Sequence, residues 1–269
     1  MAETITIVGA GVIGEAVAKC LSKSPYQYRI IATRRRTERL DELKSLGVEV
    51  TQDNAQAAKQ ANIIFICVKP RDVAGILKEI ASEIQGKLVI STAAIISLDF
   101  YDKAVPGAKF VRTMPNVAAF VGESFTAYSC NSRITDDDRS VTKRLLDTMG
   151  QHQEIEERFM DAITGLSGSG PAFIAIVIEA LMYAGLKVGL PRELSIHSCA
   201  QAVLGTAKLI LDGEMNTSQI KNAVTTPGGT TIEGIYQLED GKLRTTLINA
   251  VVAATEKCSS IRYNWNNRS

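Results

Sequence analysis

Three stretches combine residue types and spacings that could do chemistry. Gly9-Ala10-Gly11-Val12-Ile13-Gly14 is a GxGxxG run directly after an apolar, β-branched stretch and directly before an alanine-rich helical pattern. In that setting each glycine has its own duty. Gly9 permits a tight turn, Gly11 lets the backbone approach a pyrophosphate, and Gly14 lets the helix pack closely on the strand. The free N–H groups of the helix start then face the phosphates, and Ala10, Val12 and Ile13 join the three glycines as cofactor-binding candidates. The second stretch is Thr33-Arg34-Arg35-Arg36, at the exit of the second predicted strand. An NAD-binding chain places a carboxylate there for the ribose hydroxyls. Guanidinium groups instead pair with a ribose phosphate, and three cations at a helix start oppose its macrodipole unless an anion is bound. The dinucleotide is therefore read as NADP(H) rather than NAD(H), contacted by Arg34 and Arg35, with NADPH the donor and NADH a poorer one. The third stretch, Val224-Thr225-Thr226-Pro227-Gly228-Gly229-Thr230-Thr231, sets two glycines and four threonine hydroxyls before a helix. It reads either as a nest of N–H donors for a small carboxylate or as a capped loop without a ligand.

Two further loops follow predicted strands, at the carboxyl ends where ligands of such sheets bind. They are Val68-Lys69-Pro70 and Ser91-Thr92-Ala93-Ala94. The small side chains of Ala93 and Ala94 would let nicotinamide and ribose lie against the backbone. Lys69 either reaches the ribose or substrate or is a surface lysine. His152 and His197 belong to no acid–base constellation and read as surface or packed residues. The substrate should need little help from a strong general acid, and an imine fits that requirement. The spacing of Gly165, Gly168 and Gly170 is similar to a motif of β-hydroxyacid dehydrogenases. The positions of that family's catalytic lysine and asparagine, however, are Ile174 and Ile178 here. With no group to exchange an alcohol proton, that reading fails.

The elements that must position these residues follow from periodicity. Strands are expected over 4–8, 28–32, 48–50, 62–68, 88–91, 109–112 and 125–129, with helices over 13–23, 37–46, 54–60, 73–84 and 134–149. The alternation predicts a doubly wound sheet. Near residue 160 strand signals stop, and helical patterns run over 171–188, 192–211, 232–238 and 244–262. The fold class is α/β: an N-terminal Rossmann-type doubly wound sheet (1–160) followed by an all-α C-terminal dimerisation domain (161–269). Pro171–Val188 is apolar nearly all round, so it must lie in a core or across a subunit interface, and an obligate dimer is expected. Glu179 within it is a paired buried carboxylate or an interface group, structural in either case.

The chain has 269 residues, 45% hydrophobic and 22% charged, with a formal net charge of +1. That is globular, with no bulk electrostatic case for nucleic acid or an anionic membrane. Five dispersed cysteines (Cys20, Cys67, Cys130, Cys199, Cys258) suit a reducing compartment and no metal site. No signal peptide is read at the N-terminus, and a cytoplasmic location away from membranes is expected.

Over essentially its full length the chain resembles the pyrroline-5-carboxylate reductases. The resemblance rests on Gly9–Gly14, Val68-Lys69-Pro70, Arg112-Thr113-Met114-Pro115-Asn116, Ser167–Phe173 with Glu179-Ala180, and Thr226–Ile232. It implies NADPH-dependent reduction of 1-pyrroline-5-carboxylate to L-proline, and interlocked dimers often assembled into rings. It also implies that Gly228, Gly229, Thr230 and Thr231 bind the substrate carboxylate, with the Thr231 hydroxyl near the imine nitrogen and Glu214 and Asn216 completing the site. Asn54, Lys69, Pro70, Ala93 and Ala94 match cofactor-contacting positions. The chain departs from the family after Ala93-Ala94, where Ile95 stands in place of the usual glycine.

Overall fold

The computed structural model describes residues 3–36 and 40–266, Asn266 by its backbone only. Its chain forms two compact units, Met1–Ser169 together with Ala253–Ser269, and Gly170–Val252.

In the first unit, eight strands of the described residues form one sheet in the order β3-β2-β1-β4-β5-β6-β7-β8. They are β1 (Glu3–Val8), β2 (Tyr28–Thr33), β3 (Glu49–Thr51), β4 (Ile63–Ile66), β5 (Leu88–Ser91), β6 (Lys109–Met114), β7 (Ser124–Cys130) and β8 (Gly150–Glu154). The order reverses between β1 and β4, whose register sets Ile7 opposite Phe65 and Val8 opposite Ile66. That reversal opens a crevice at the strands' carboxyl ends, the usual ligand seat in such sheets. β6 and β7 pair antiparallel, so the expected doubly wound sheet is parallel only through β6. A short hairpin-like return through Val117–Val121 takes the place of a crossover helix.

Successive residues of β4 enter different cores. Ile63 and Phe65 join one apolar cluster with Ile5, Ile7 and Val111, while Ile64 and Ile66 join a second with Val8, Val89 and Phe110. The period of two places one cluster on each face of the sheet. Helix α1 (Val12–Ser22) buries Ala16, Val17 and Leu21 against the first. Helix α4 (Pro70–Ile80), started by Pro70 at its first turn, buries Val73, Leu77 and Ile80 against the second. The expected helix over 37–46 is described as α2 (Asp41–Ser45); residues 37–39 lie outside the described residues. Helices α3 (Asn54–Gln60) and α6 (Asp136–Asp147) match their expected positions, whereas α5 (Leu98–Ala104), capped by the Ser97 hydroxyl, and strand β8 had no sequence expectation. After β8 the chain forms α7 (Met160–Ile163) and a π-helical turn, Thr164–Gly168.

The second unit is helical: α8 (Gly170–Lys187), α9 (Arg192–Leu211), α10 (Thr217–Val224) and α11 (Thr230–Asp240). Helix α12 (Leu243–Asn266) begins in this unit and ends in the first, where Cys258 enters the second cluster and Trp265 meets Phe100 edge-on at 6.3 Å. Gly185 lets α8 approach α9 at Ser195, which together with Met182 makes up the buried set of this unit. Of the two covers expected for α8, its own chain's core is not the one: Ile174, Ile176, Leu181 and Tyr183 are exposed, and so is Glu179. The helical runs Glu157–Lys187 and Arg192–Leu211 are long and apolar enough to cross a bilayer. An apolar helix with so little cover needs a partner surface of some kind.

Candidate active site

At the crevice of the first unit, the glycine loop is stitched to the exit of β2. The N–H groups of Gly9 and Ala10 both donate to the Thr33 carbonyl, at 3.2 and 2.8 Å, and Gly11 N–H turns back to the Gly9 carbonyl at 2.7 Å. Ala10, fully buried, thus spends its N–H on the fold. The donors left for an anion are the first-turn N–H groups of Val12, Ile13 and Gly14, which have no intrahelical acceptor. Ala10, expected among the cofactor-binding residues, therefore has no free N–H to offer.

The three glycines are required for three physical reasons. Gly9 sits at φ +89°, and a Cβ there would strike the Val68 side chain. A Cβ on Gly14 would lie 2.6 Å from the Gly9 carbonyl oxygen and 3.1 Å from Cys67 Cβ, so it sets the closeness of α1 to β4. Gly11 is different, because a Cβ would meet nothing within 4 Å. Its backbone faces open space, the approach that a pyrophosphate needs.

That space belongs to a cleft of about 380 Å³ lined by Gly9, Gly11, Thr33, Arg34, Arg35, Arg36, Asn54, Val68 and Lys69. The structure therefore gathers most of the cofactor positions expected in the first half around one cavity. Gln52, Cys67 and Arg71 also line it and were not anticipated. Position offered the only sequence signal for them: Gln52 and Cys67 directly follow strands, and Arg71 lies in the first turn of the helix after β4. Arg34 donates to the Ala10 carbonyl at 3.0 Å, bracing the β2 exit against the glycine loop. Arg35 and Arg36 are exposed at the cleft, with Arg35 3.8 Å from Asp72. Thr33 hydroxyl donates to Asn54 Oδ1 at 2.6 Å, and Asn54 Nδ2 donates to Glu79 at 3.0 Å, so Asn54 is held on both sides. Burial pushes the Cys67 thiol up to about 12, against the pull of its hydrogen bond with Thr92. The cleft therefore holds a neutral thiol rather than a thiolate nucleophile.

The loop after β5 runs beside the end of β4. Thr92 N–H donates to the Ile66 carbonyl at 3.0 Å, and Ala93 N–H to Ser91 Oγ at 3.2 Å. Ala93 is buried and Ala94 partly so. The Met114–Asn116 segment, at the end of β6, reaches the π-helical turn: Asn116 Nδ2 donates to the Ser167 carbonyl at 3.1 Å, and Met114 fills the space beside Gly168.

The positions expected in the second half lie in the helical unit. Gly228 takes φ +67°, Gly229 caps α11, and a Cβ on Gly229 would strike the Thr226 hydroxyl. Two adjacent glycines thus leave the first-turn N–H groups of Thr230 and Thr231 pointing out of the helix end. Asn216 caps α10, accepting from Ser218 and Gln219 N–H at 3.0 Å each, and Gln219 returns the bond to Asn216 N–H. Glu214 is exposed just before that cap. His197 bonds its own helix carbonyl at Glu193 and His152 pairs with Asp147, so neither histidine enters a site.

Residues 4–95 match the family model described as NADP oxidoreductase coenzyme F420-dependent, and residues 157–261 match the one for pyrroline-5-carboxylate reductase dimerisation. The pyrroline-5-carboxylate reductase of Pisum sativum is 37% identical over 259 residues, covering 94% of each chain. That of Synechocystis is 38% identical over 264 residues, covering 97% of this chain and 99% of its own. The chain belongs to the pyrroline-5-carboxylate reductase family. Among solved structures, the Plasmodium falciparum pyrroline carboxylate reductase, determined with NADP bound, superimposes with a TM-score of 0.88 at 28% identity and covers 97% of this chain. The exposed helices α8 to α11 all fall within the dimerisation match, which supports self-association of this chain.

Proposed function

We propose that the chain reduces 1-pyrroline-5-carboxylate to L-proline with NADPH, the last step of proline biosynthesis, by dividing the work between its two halves. Residues 1–160 hold the dinucleotide and residues 161–269 provide the dimer contact and the substrate seat. The observation that carries the cofactor half is the open space at Gly11, set in a cleft that also collects the arginines after β2. Those residues fit the group: first-turn N–H donors of α1 for the pyrophosphate, Arg35 and Arg36 for a ribose phosphate, and Asn54, Val68, Lys69 and Pro70 along the crevice. When bound, NADPH supplies the hydride that, with one proton on nitrogen, converts the C=N bond to CH–NH.

The rest of the chemistry is positioning. The N–H groups at the start of α11 receive the substrate carboxylate, where the helix dipole favours an anion. Thr231 directs its hydroxyl to the imine nitrogen and holds or relays its proton, while Glu214 and Asn216 complete the seat. Arg34 keeps the glycine loop and the β2 exit in register through Ala10. The proposal extends the dimer to a ring of dimers away from any membrane, and the five free cysteines favour a reducing, cytoplasmic setting.

The test follows NADPH oxidation with pyrroline-5-carboxylate in the native protein and in Thr231→Ala. The variant is expected to lose roughly ten- to a hundredfold in kcat/KM, the scale of one site hydrogen bond. Equal turnover by the two proteins removes Thr231 from the mechanism, and no turnover by the native protein removes the substrate assignment.

A further inference from the structure

Between β5 and α5 the chain makes its turn on a residue that resists turning. Ile95 takes φ +68°, the left-handed region in which a β-branched side chain is an outlier. Such a conformation persists only where the surroundings over-determine it. Here both ends of the turn are fastened. On one side Thr92 N–H is bonded to the Ile66 carbonyl at the end of β4, and Ser91 Oγ lies 2.5 Å from the buried Tyr101 hydroxyl. On the other, the Ser97 hydroxyl caps α5, and Leu98 N–H donates to Glu157 at 2.8 Å. The Ile95 side chain, 6% exposed, is sunk in the same apolar cluster as Val8, Ile66, Val73 and Ile96. That cluster also receives Ala93 and supports Ala94.

A glycine here would accept the left-handed angle at no steric cost, but many other angles as well. Isoleucine has one way to keep its side chain in the cluster, and that way fixes the backbone of the two preceding alanines. We propose that Ile95 is a positioning residue for hydride transfer: its buried side chain locks the strained turn that sets the backbone of Thr92–Ala94, the loop that would hold the nicotinamide end of the cofactor. This rests on the reading of Ala93 and Ala94 as cofactor contacts. The lock acts on the reacting end of the cofactor alone, because the phosphates and adenosine are held elsewhere, by the glycine loop and the arginines.

The test pairs Ile95→Gly, which permits the angle without enforcing it and removes the anchor, with Ile95→Val, which keeps the branch and shortens the anchor. In Ile95→Gly, kcat should fall about tenfold, the scale of a sub-ångström misplacement of reacting groups. NADPH affinity should stay within twofold of native, and the primary isotope effect with 4-deuterated NADPH should rise. Ile95→Val should shift in the same direction by less, and it decides the matter if the glycine variant fails to fold. Native kcat and isotope effect in a variant whose only change is its Tm would overturn the proposal, since a merely structural residue behaves that way. Hydrogen exchange of the native protein separates the underlying reading. Protection of residues 92–95 by NADPH upholds the seat whatever Ile95 does. Protection confined to the glycine loop overturns the seat and the proposal together.

Discussion

The two units solve the burial problem in opposite ways. In the sheet unit the inner strands are interior: Ile5, Ile7, Phe65, Ile66, Val89 and Phe110 are fully buried, and two apolar clusters fill the two faces. In Gly170–Val252 the buried set is Met182 and Ser195, while Ile176 and Ile248 are 64% and 61% exposed. Both stretches are strongly apolar in sequence. A parallel sheet covers its faces with its own crossover helices, whereas a row of helices that are apolar on several sides needs a second body. The first unit is a core in its own right; the second is part of a core that two chains complete.

The sharpest way to break this contrast is to charge the uncovered faces. Ile176→Asp and Ile248→Asp should each weaken the dimer about 100-fold or more, as expected for a charge buried in an apolar interface. Sedimentation velocity over a dilution series measures it. The cofactor cleft of the separated chains should still bind NADPH, since its lining residues all belong to the first unit. A dimer untouched by both substitutions would mean that another surface, or a lipid phase, covers these helices.

The second largest effect is expected where the last helix returns to the sheet unit. Asp161, buried, accepts from Ser259 at 2.9 Å and from Arg262 at 2.8 Å, and lies 3.9 Å from the buried Arg112. Arg112 also bonds Glu157 at 2.8 Å, and Glu157 receives Leu98 N–H. Asp161→Ala removes one pole of this network and leaves Arg112 undercompensated, so the first unit should lose about 3–5 kcal/mol. Trp265, the chain's single tryptophan, rides on the same helix end beside Phe100 and reports its release by fluorescence in urea. An unshifted transition would show that the helix end is held by its apolar contacts, Cys258 and Trp265 among them, and that the charged network adds nothing to it.

How far these arrangements were legible in the sequence depends on the range of the forces involved. The glycine loop was readable because steric demands act between neighbours in the chain, and β1 and β4 because continuous apolar runs mark strands covered on both faces. The arginines after β2 were readable as a charge pattern at a strand exit, whereas the helix described after them begins only at Asp41. Strand β8, GQHQE, was not: it is a polar edge strand without alternation, placed by Gly150, whose φ of +127° and contact with the Ser124 backbone admit no side chain. Helix α5 is too short to show a period. The Asp161 network joins residues 45 to 101 positions apart, distances over which one sequence carries no pairing signal. The strain at Ile95 was visible only as an odd residue after two alanines; its angle depends on fastening points in β4, α5 and Glu157. In the second unit, the Gly228–Thr231 loop was found from composition, but the capping role of Asn216 was missed.

Asn216 gives the smallest effect and the finest test of the contrast between a self-sufficient unit and one completed by a partner and a substrate. Its Oδ1 is committed to Ser218 and Gln219 N–H, which leaves Nδ2 as the side-chain group available to a substrate carboxylate. Capping alone and capping plus binding therefore predict different behaviour for two substitutions. Asn216→Ala loses the cap and should cost about 1 kcal/mol in thermal stability. Asn216→Asp keeps the cap, since aspartate caps as well as asparagine, but replaces the Nδ2 donor with a negative charge. If Asn216 serves the substrate, Asn216→Asp retains the native Tm and raises KM for pyrroline-5-carboxylate several-fold, with NADPH affinity unchanged. If it only caps, Asn216→Asp is native in both, and the helical unit contributes to the substrate seat through the start of α11 rather than through the start of α10.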